Sequence, residues 1–202
     1  MSWCRVARRI AAAAAALPAG AAWAHGEIKG VGAFYSGVLH PYISPAHLIA
    51  LVALGLLFGQ RGVQASRHAM GALVAALALG LWLSLRLQLP EPDPLLLALG
   101  TLFGLCVVLA RQLPAWALVP LAALAGLAVG LGSAPDGMAP AQRSAALLGT
   151  LVGATLCAAC LAGLVQPLQQ PWARVGVRVL GSWLSASAIL VLTLALARPA
   201  GL

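Results

Sequence analysis

The chain has 202 residues, of which 62% are hydrophobic and only 8% charged, with a mean hydropathy of +0.97. So few charges do not solvate the surface of a water-soluble domain of this length, which argues against a soluble enzyme or a disordered tail. The formal charge of +8 comes from 12 basic residues set singly between apolar runs, so it builds no patch for a nucleic acid and reads instead as a marker of membrane sidedness.

Residues 1–24 read as a signal peptide. Arg5, Arg8 and Arg9 form a basic start, Ile10 to Ala16 begin a short apolar run, and Ala22-Trp23-Ala24 is an A-x-A cleavage signature. The run is shorter than the ~20 apolar residues that a spanning helix needs. Cleavage after Ala24 starts the mature chain at His25. Residues 25–43 then form a periplasmic N-terminal segment, and 44–202 a bundle of six spans. The spans fall near 44–60, 68–88, 94–110, 114–132, 143–165 and 176–197. Ser44-Pro45 opens the first as an N-cap followed by proline at the first helical position. Backbone amides in lipid must be satisfied within their own segment, and no ten-residue alternating segments appear, so helices are expected rather than a barrel. The expected fold is an all-α polytopic membrane protein, a compact six-helix transmembrane bundle after a cleaved signal peptide.

The loops assign the sides. Arg61, Arg67, Arg111, Arg174 and Arg178 fall at one set of span ends, and none of those loops holds an acid. Glu27, Glu91, Asp93 and Asp136 all fall at the other, together with the exceptions Lys29, Arg143 and Arg198. The positive-inside rule then places the protein in the bacterial inner membrane, with mature N-terminus and C-terminus periplasmic. Arg86 is placed to reach toward Glu91 or Asp93, and Trp116 and Trp172 are expected as inner interfacial anchors. Four spans carry a small-residue pair, Gly55/Gly59, Gly100/Gly104, Gly126/Gly130 and Gly149/Gly153. That spacing clears a helix face for close approach of another backbone.

Chemistry concentrates in HGEIKGVGAFYSGVLHPYISPAH, residues 25–47, which holds His25, His40 and His47. Imidazole suits nickel, copper, zinc and iron, so the cluster points to a metal site. His47 falls in the first turn of the first span and His40 on the incoming loop. The positive end of a helix dipole disfavours a cation, so a carboxylate is needed, and Glu27 is nearest in sequence. His25, as a mature N-terminus, adds its α-amine to its imidazole. The candidate metal set is therefore His25, His40, His47 and Glu27. The competing reading has these histidines hydrogen-bonded to backbone or headgroups at the interface. His68, beside Arg67, takes that second reading. Cys157 and Cys160 form a CxxC inside a span, with Cys106 in another, and read as small packing residues. No span carries an acid. The chain has no phosphate loop, nucleophile–base pair or zinc-protease motif, so neither an enzyme nor an organic cofactor is expected.

At HPYISPAHLIALVALGLLFG (40–59) the sequence resembles the HupE/UreJ family of hydrogenase and urease accessory membrane proteins. His40, Pro41 and His47 match three positions of that family's H-P-x-x-G-x-D-H opening, while Ser44 and Ala46 stand where it has glycine and aspartate. The family's second histidine-rich motif corresponds to GLGSAPDGMAP (130–140), which holds no histidine. The resemblance implies handling of Ni2+, with Co2+ as the alternative, by a permease or metal-delivery protein of urease or hydrogenase maturation. Imidazole ligands also admit Cu2+ or Zn2+. The alternative is a non-transporting accessory scaffold that binds a metal or a partner. The expected partners are the lipid bilayer, the divalent ion and accessory proteins, with no nucleic acid.

Overall fold

A computed structural model of the chain describes residues 32–87, 90–111, 113–134 and 138–197. The expected signal peptide at 1–24, with His25 and Glu27, lies outside the described residues. Among the described residues the chain is all-helical: α1 (Ala33–Ile43), α2 (Pro45–Arg61), α3 (Val63–Ser84), α4 (Asp93–Val108), α5 (Ala115–Leu131), α6 (Pro140–Val165) and α7 (Pro171–Ala197). Prolines sit in the first turns of α2, α4 and α6, where a missing N–H costs nothing. Gly62, at φ +94°, turns the chain from α2 into α3, a conformation that favours glycine.

Pro45 also explains the sharpest feature. A residue before proline avoids the helical region, and Ser44 is extended at φ −78° and ψ 114°. The chain therefore breaks there, and α1 and α2 meet at 76°.

The central helix is α2, packed between α4 and α6. Its Leu51, Leu54, Leu57 and Phe58 are fully buried, against a core that includes Leu96, Leu97 and Phe103 of α4. Around it, α3 packs on α5, α4 on α7 and α1 on α6. The small-residue pairs make these seams. A Cβ added to Gly149 or Gly153 would strike the carbonyls of Phe34 and Val38 in α1. One on Gly126 or Gly130 would strike those of Leu73 and Leu77 in α3. Gly55 and Gly59 abut α6, Gly100 abuts α2, and Gly104 meets Ser185 of α7.

The helices of 22, 26 and 27 residues, α3, α6 and α7, are each long and apolar enough to cross a membrane. The bent pair α1–α2 passes the same test when taken together. α4 and α5 are apolar but shorter, at 16 and 17 residues. Large apolar side chains point outward, among them Trp183, Leu194 and Leu196 of α7. This is the inverse of a soluble surface and suits contact with lipid.

Two features differ from the sequence reading. Part of the expected N-terminal segment is helical, as α1, and lies along α6. Three helices also begin before their apolar cores, at Val63, Pro140 and Pro171 rather than near 68, 143 and 176. Hydropathy marks the lipid-buried stretch, whereas the helix continues through polar residues at its ends.

Candidate functional site

His40 lies in the last turn of α1 and His47 in the first turn of α2, on either side of the break at Ser44. The break folds the two turns together: the ring centroids stand 5.3 Å apart, with the planes at 63°. His40 is half-buried and His47 only 1% exposed. A buried imidazole so close to a second one is a specific juxtaposition, not a solvated helix end.

Each wall of the site has an identifiable support. α1 is held on α6 by the backbone approach at Gly149 and Gly153. The Tyr42 hydroxyl donates to the Gly153 carbonyl at 3.1 Å, and Thr150 donates to Gly37 at 3.2 Å. Over His47 sits Gly132, the residue that ends α5. A Cβ there would lie 2.8 Å from His47 Nε2 and 3.0 Å from Pro92 Cγ. The missing side chain is thus the space that the imidazole occupies. Pro92 stands between Glu91 and Asp93, so an acidic loop borders the same wall.

The helix dipoles oppose each other here. His40 ends a helix, where partial negative charge favours a cation, and His47 begins one, where partial positive charge disfavours it. Pairing one end of each kind offsets the penalty that a lone N-terminus would impose.

Of the residues expected from sequence, His40 and His47 come together, with His40 on a helix rather than a loop. His25 and Glu27 lie outside the described residues, as does Asp136. His68 is far away at the other end of α3, where its Nε2 accepts a hydrogen bond from Arg67 Nε at 3.2 Å. Cys157 is buried and Cys160 exposed, one turn apart on α6. Arg86 lies 6.0 Å over the ring of Trp82, a cation–π arrangement. Sequence reasoning missed Gly132 and Pro92. Their signal was the glycine that closes GLG at the end of a span, at the place where the family's second motif is expected.

Among the described residues, no three His, Cys, Asp or Glu side chains converge on one point. The described donor set is therefore two imidazoles, which fit two positions around a borderline divalent ion such as nickel, cobalt, copper or zinc. Water or a further protein group would complete the sphere.

A family model described as HupE / UreJ protein matches residues 13–191. No curated protein matches the chain, and no solved structure does.

Proposed function

The chain belongs to the HupE/UreJ family, and from that premise we propose that it is a divalent-metal permease or metal-delivery protein serving urease or hydrogenase maturation, with His40 and His47 as its capture pair. The family is of the accessory, nickel-related membrane type. The observation that carries the reading is the pair of imidazoles held 5.3 Å apart at a helix break. Nickel is the expected cargo, and cobalt is the closest alternative in ligand preference. His25 and Glu27 are assigned to the same mouth as further ligands, supplied by the mature N-terminus.

The topology proposed is six crossings, α2 to α7, with α1 entering the outer half of the bundle. At ~1.5 Å per residue, α2, α4 and α5 extend about 24–26 Å, close to the hydrocarbon thickness. The ladder of arginines at one end and the described acids at the other supports an inner-membrane orientation with the histidine pair outward.

One observation favours a second reading, an accessory protein that binds without flux. The hydroxyls of Thr101, Thr150 and Ser185 donate to backbone carbonyls inside the bundle, and those of Ser182 and Thr193 donate to carbonyls of α7 on its exposed side. Among the described span hydroxyls, that of Thr155 alone stands buried with no hydrogen-bond partner. Below the histidine pair lie fully buried Leu51, Leu54 and Phe58. A dication has no polar path there unless the helices move apart.

Two experiments separate the possibilities. In cells depleted of other nickel importers, His47→Ala and His40→Ala each lower nickel accumulation; unchanged accumulation in both variants overturns the capture role. Purified protein in liposomes then tests flux. Metal binding with no flux selects the accessory reading.

A further inference from the structure

At the end of the bundle opposite the histidine pair lies a cavity of about 380 Å³, lined by Gln60, Arg61, Arg111, Gln169, Arg174 and Arg178 among its residues. These come from the close of α2, the turn after α4, the loop between α6 and α7, and the first turns of α7. Among the described residues, no Asp or Glu lines it. Four guanidinium groups around one space repel one another, and an anion held between them would relieve that repulsion.

The arginines are also tethered rather than loose. Arg61 donates to the Leu113 carbonyl, Arg178 Nε donates to the Val108 carbonyl at 2.6 Å, and Arg174 donates to the Gln169 side chain. Each guanidinium has five N–H donors, so one tether leaves most of them for a ligand. Arg61 Nε is buried with no hydrogen-bond partner among the described residues. A planar fork with donors to spare matches phosphate oxygens in pairs. The rest of the lining is apolar, including Leu57, Leu118, Leu168 and Val177. Exposed Trp116 and Trp172 stand at the same end, where headgroups meet hydrocarbon.

We propose that this cavity is a binding site for a phosphate-bearing anion, with the headgroup of an anionic phospholipid as the source that its apolar wall fits. Basic pockets between spans are a known way to hold such headgroups. Occupancy would tie the ends of α2, α4 and α7 through one charged group. The inference stands apart from the histidine pair and does not depend on metal handling.

The test is native mass spectrometry of the full-length protein in detergent, titrated with phosphatidylglycerol, phosphatidylcholine and inorganic phosphate. Phosphatidylglycerol is expected to be retained about tenfold more tightly than phosphatidylcholine, a difference that the double variant R111Q/R174Q abolishes. R67Q, at the same end but outside the cavity, leaves retention unchanged. Inorganic phosphate that binds and displaces the lipid identifies a soluble anion as a second source of the same chemistry. Lipid binding alone restricts the source to the headgroup. Equal retention of the two lipids with no phosphate binding overturns the proposal. So does wild-type behaviour of R111Q/R174Q. Should the double variant fail to fold, R111Q and R174Q singly are each expected to weaken retention roughly threefold, and no change in either overturns it equally.

Discussion

At the scale of single residues, the site turns on a side chain that is absent. Gly132 has φ −77°, a conformation open to any residue, so only space forbids alanine there. Gly132→Ala puts a methyl against His47 Nε2 and the Pro92 ring. Overpacking of this kind costs about 1–3 kcal/mol. The variant is expected to melt earlier in detergent and to bind nickel more weakly by equilibrium dialysis. Gly71→Ala, where an added Cβ meets nothing within 4 Å, is the control and is expected to be neutral or slightly stabilising. If both variants bind nickel like wild type, Gly132 is not part of the mouth. His40 and His47 were legible because Ser44-Pro45 announces a helix start and nearby spacing carries nearby geometry. Gly132 and Pro92 were not, because they reach His47 from the ends of other helices. That proximity depends on how the bundle closes, which local pattern does not encode.

At the scale of helices, the break between α1 and α2 and the seam between α1 and α6 act together. The break turns α1 aside at 76°, and the seam at Gly149 and Gly153 holds it there. The obstacle at Gly149 is the Phe34 carbonyl, and backbone yields less readily than a flexible side chain. Gly149→Leu is therefore expected to lift α1 off α6, separate His40 from His47 and abolish high-affinity nickel binding. Its stability cost should reach or exceed the ~1–3 kcal/mol of ordinary overpacking, because backbone must move. Gly163→Leu, on the same helix with open space around its Cα, should leave both properties intact. Retained nickel affinity in Gly149→Leu would mean that the α1 placement is irrelevant to binding. The four glycine pairs were readable from spacing alone, and each of their residues abuts another helix. The helix α1 itself escaped notice for a physical reason. Its sequence AFYSGVLHPYI mixes polar residues, glycine and an internal proline, and its 11 residues give no long apolar run.

For the whole molecule, the two ends carry opposite chemistry. Arg61, Arg67, Arg111, Arg174 and Arg178 gather at one, while Glu91, Asp93 and the histidine pair gather at the other. The sequence pattern of charges already separated these groups, because the loops at the arginine end hold no acid, whereas all four acids fall at the other end, mixed there with Lys29, Arg86, Arg143 and Arg198. It also predicted six crossings, whereas among the described residues three helices clearly suffice, or four with the bent α1–α2 pair, because α4 and α5 are shorter. The proposed six crossings differ testably from a bundle in which α4 and α5 enter and leave on one side. Their difference lies at exposed Leu109, between those two helices. Single cysteines placed in a cysteine-free background report the side directly through a membrane-impermeant maleimide. With six crossings, Glu91→Cys and Ala134→Cys label in intact cells, whereas Ala65→Cys, Leu109→Cys and Gln169→Cys label only after the membrane is opened. If α4 and α5 form a re-entrant pair, Leu109→Cys labels together with Glu91→Cys. If the arginine end faces outward, the whole pattern inverts, and the capture pair then faces the cytoplasm as a delivery site instead of an entrance.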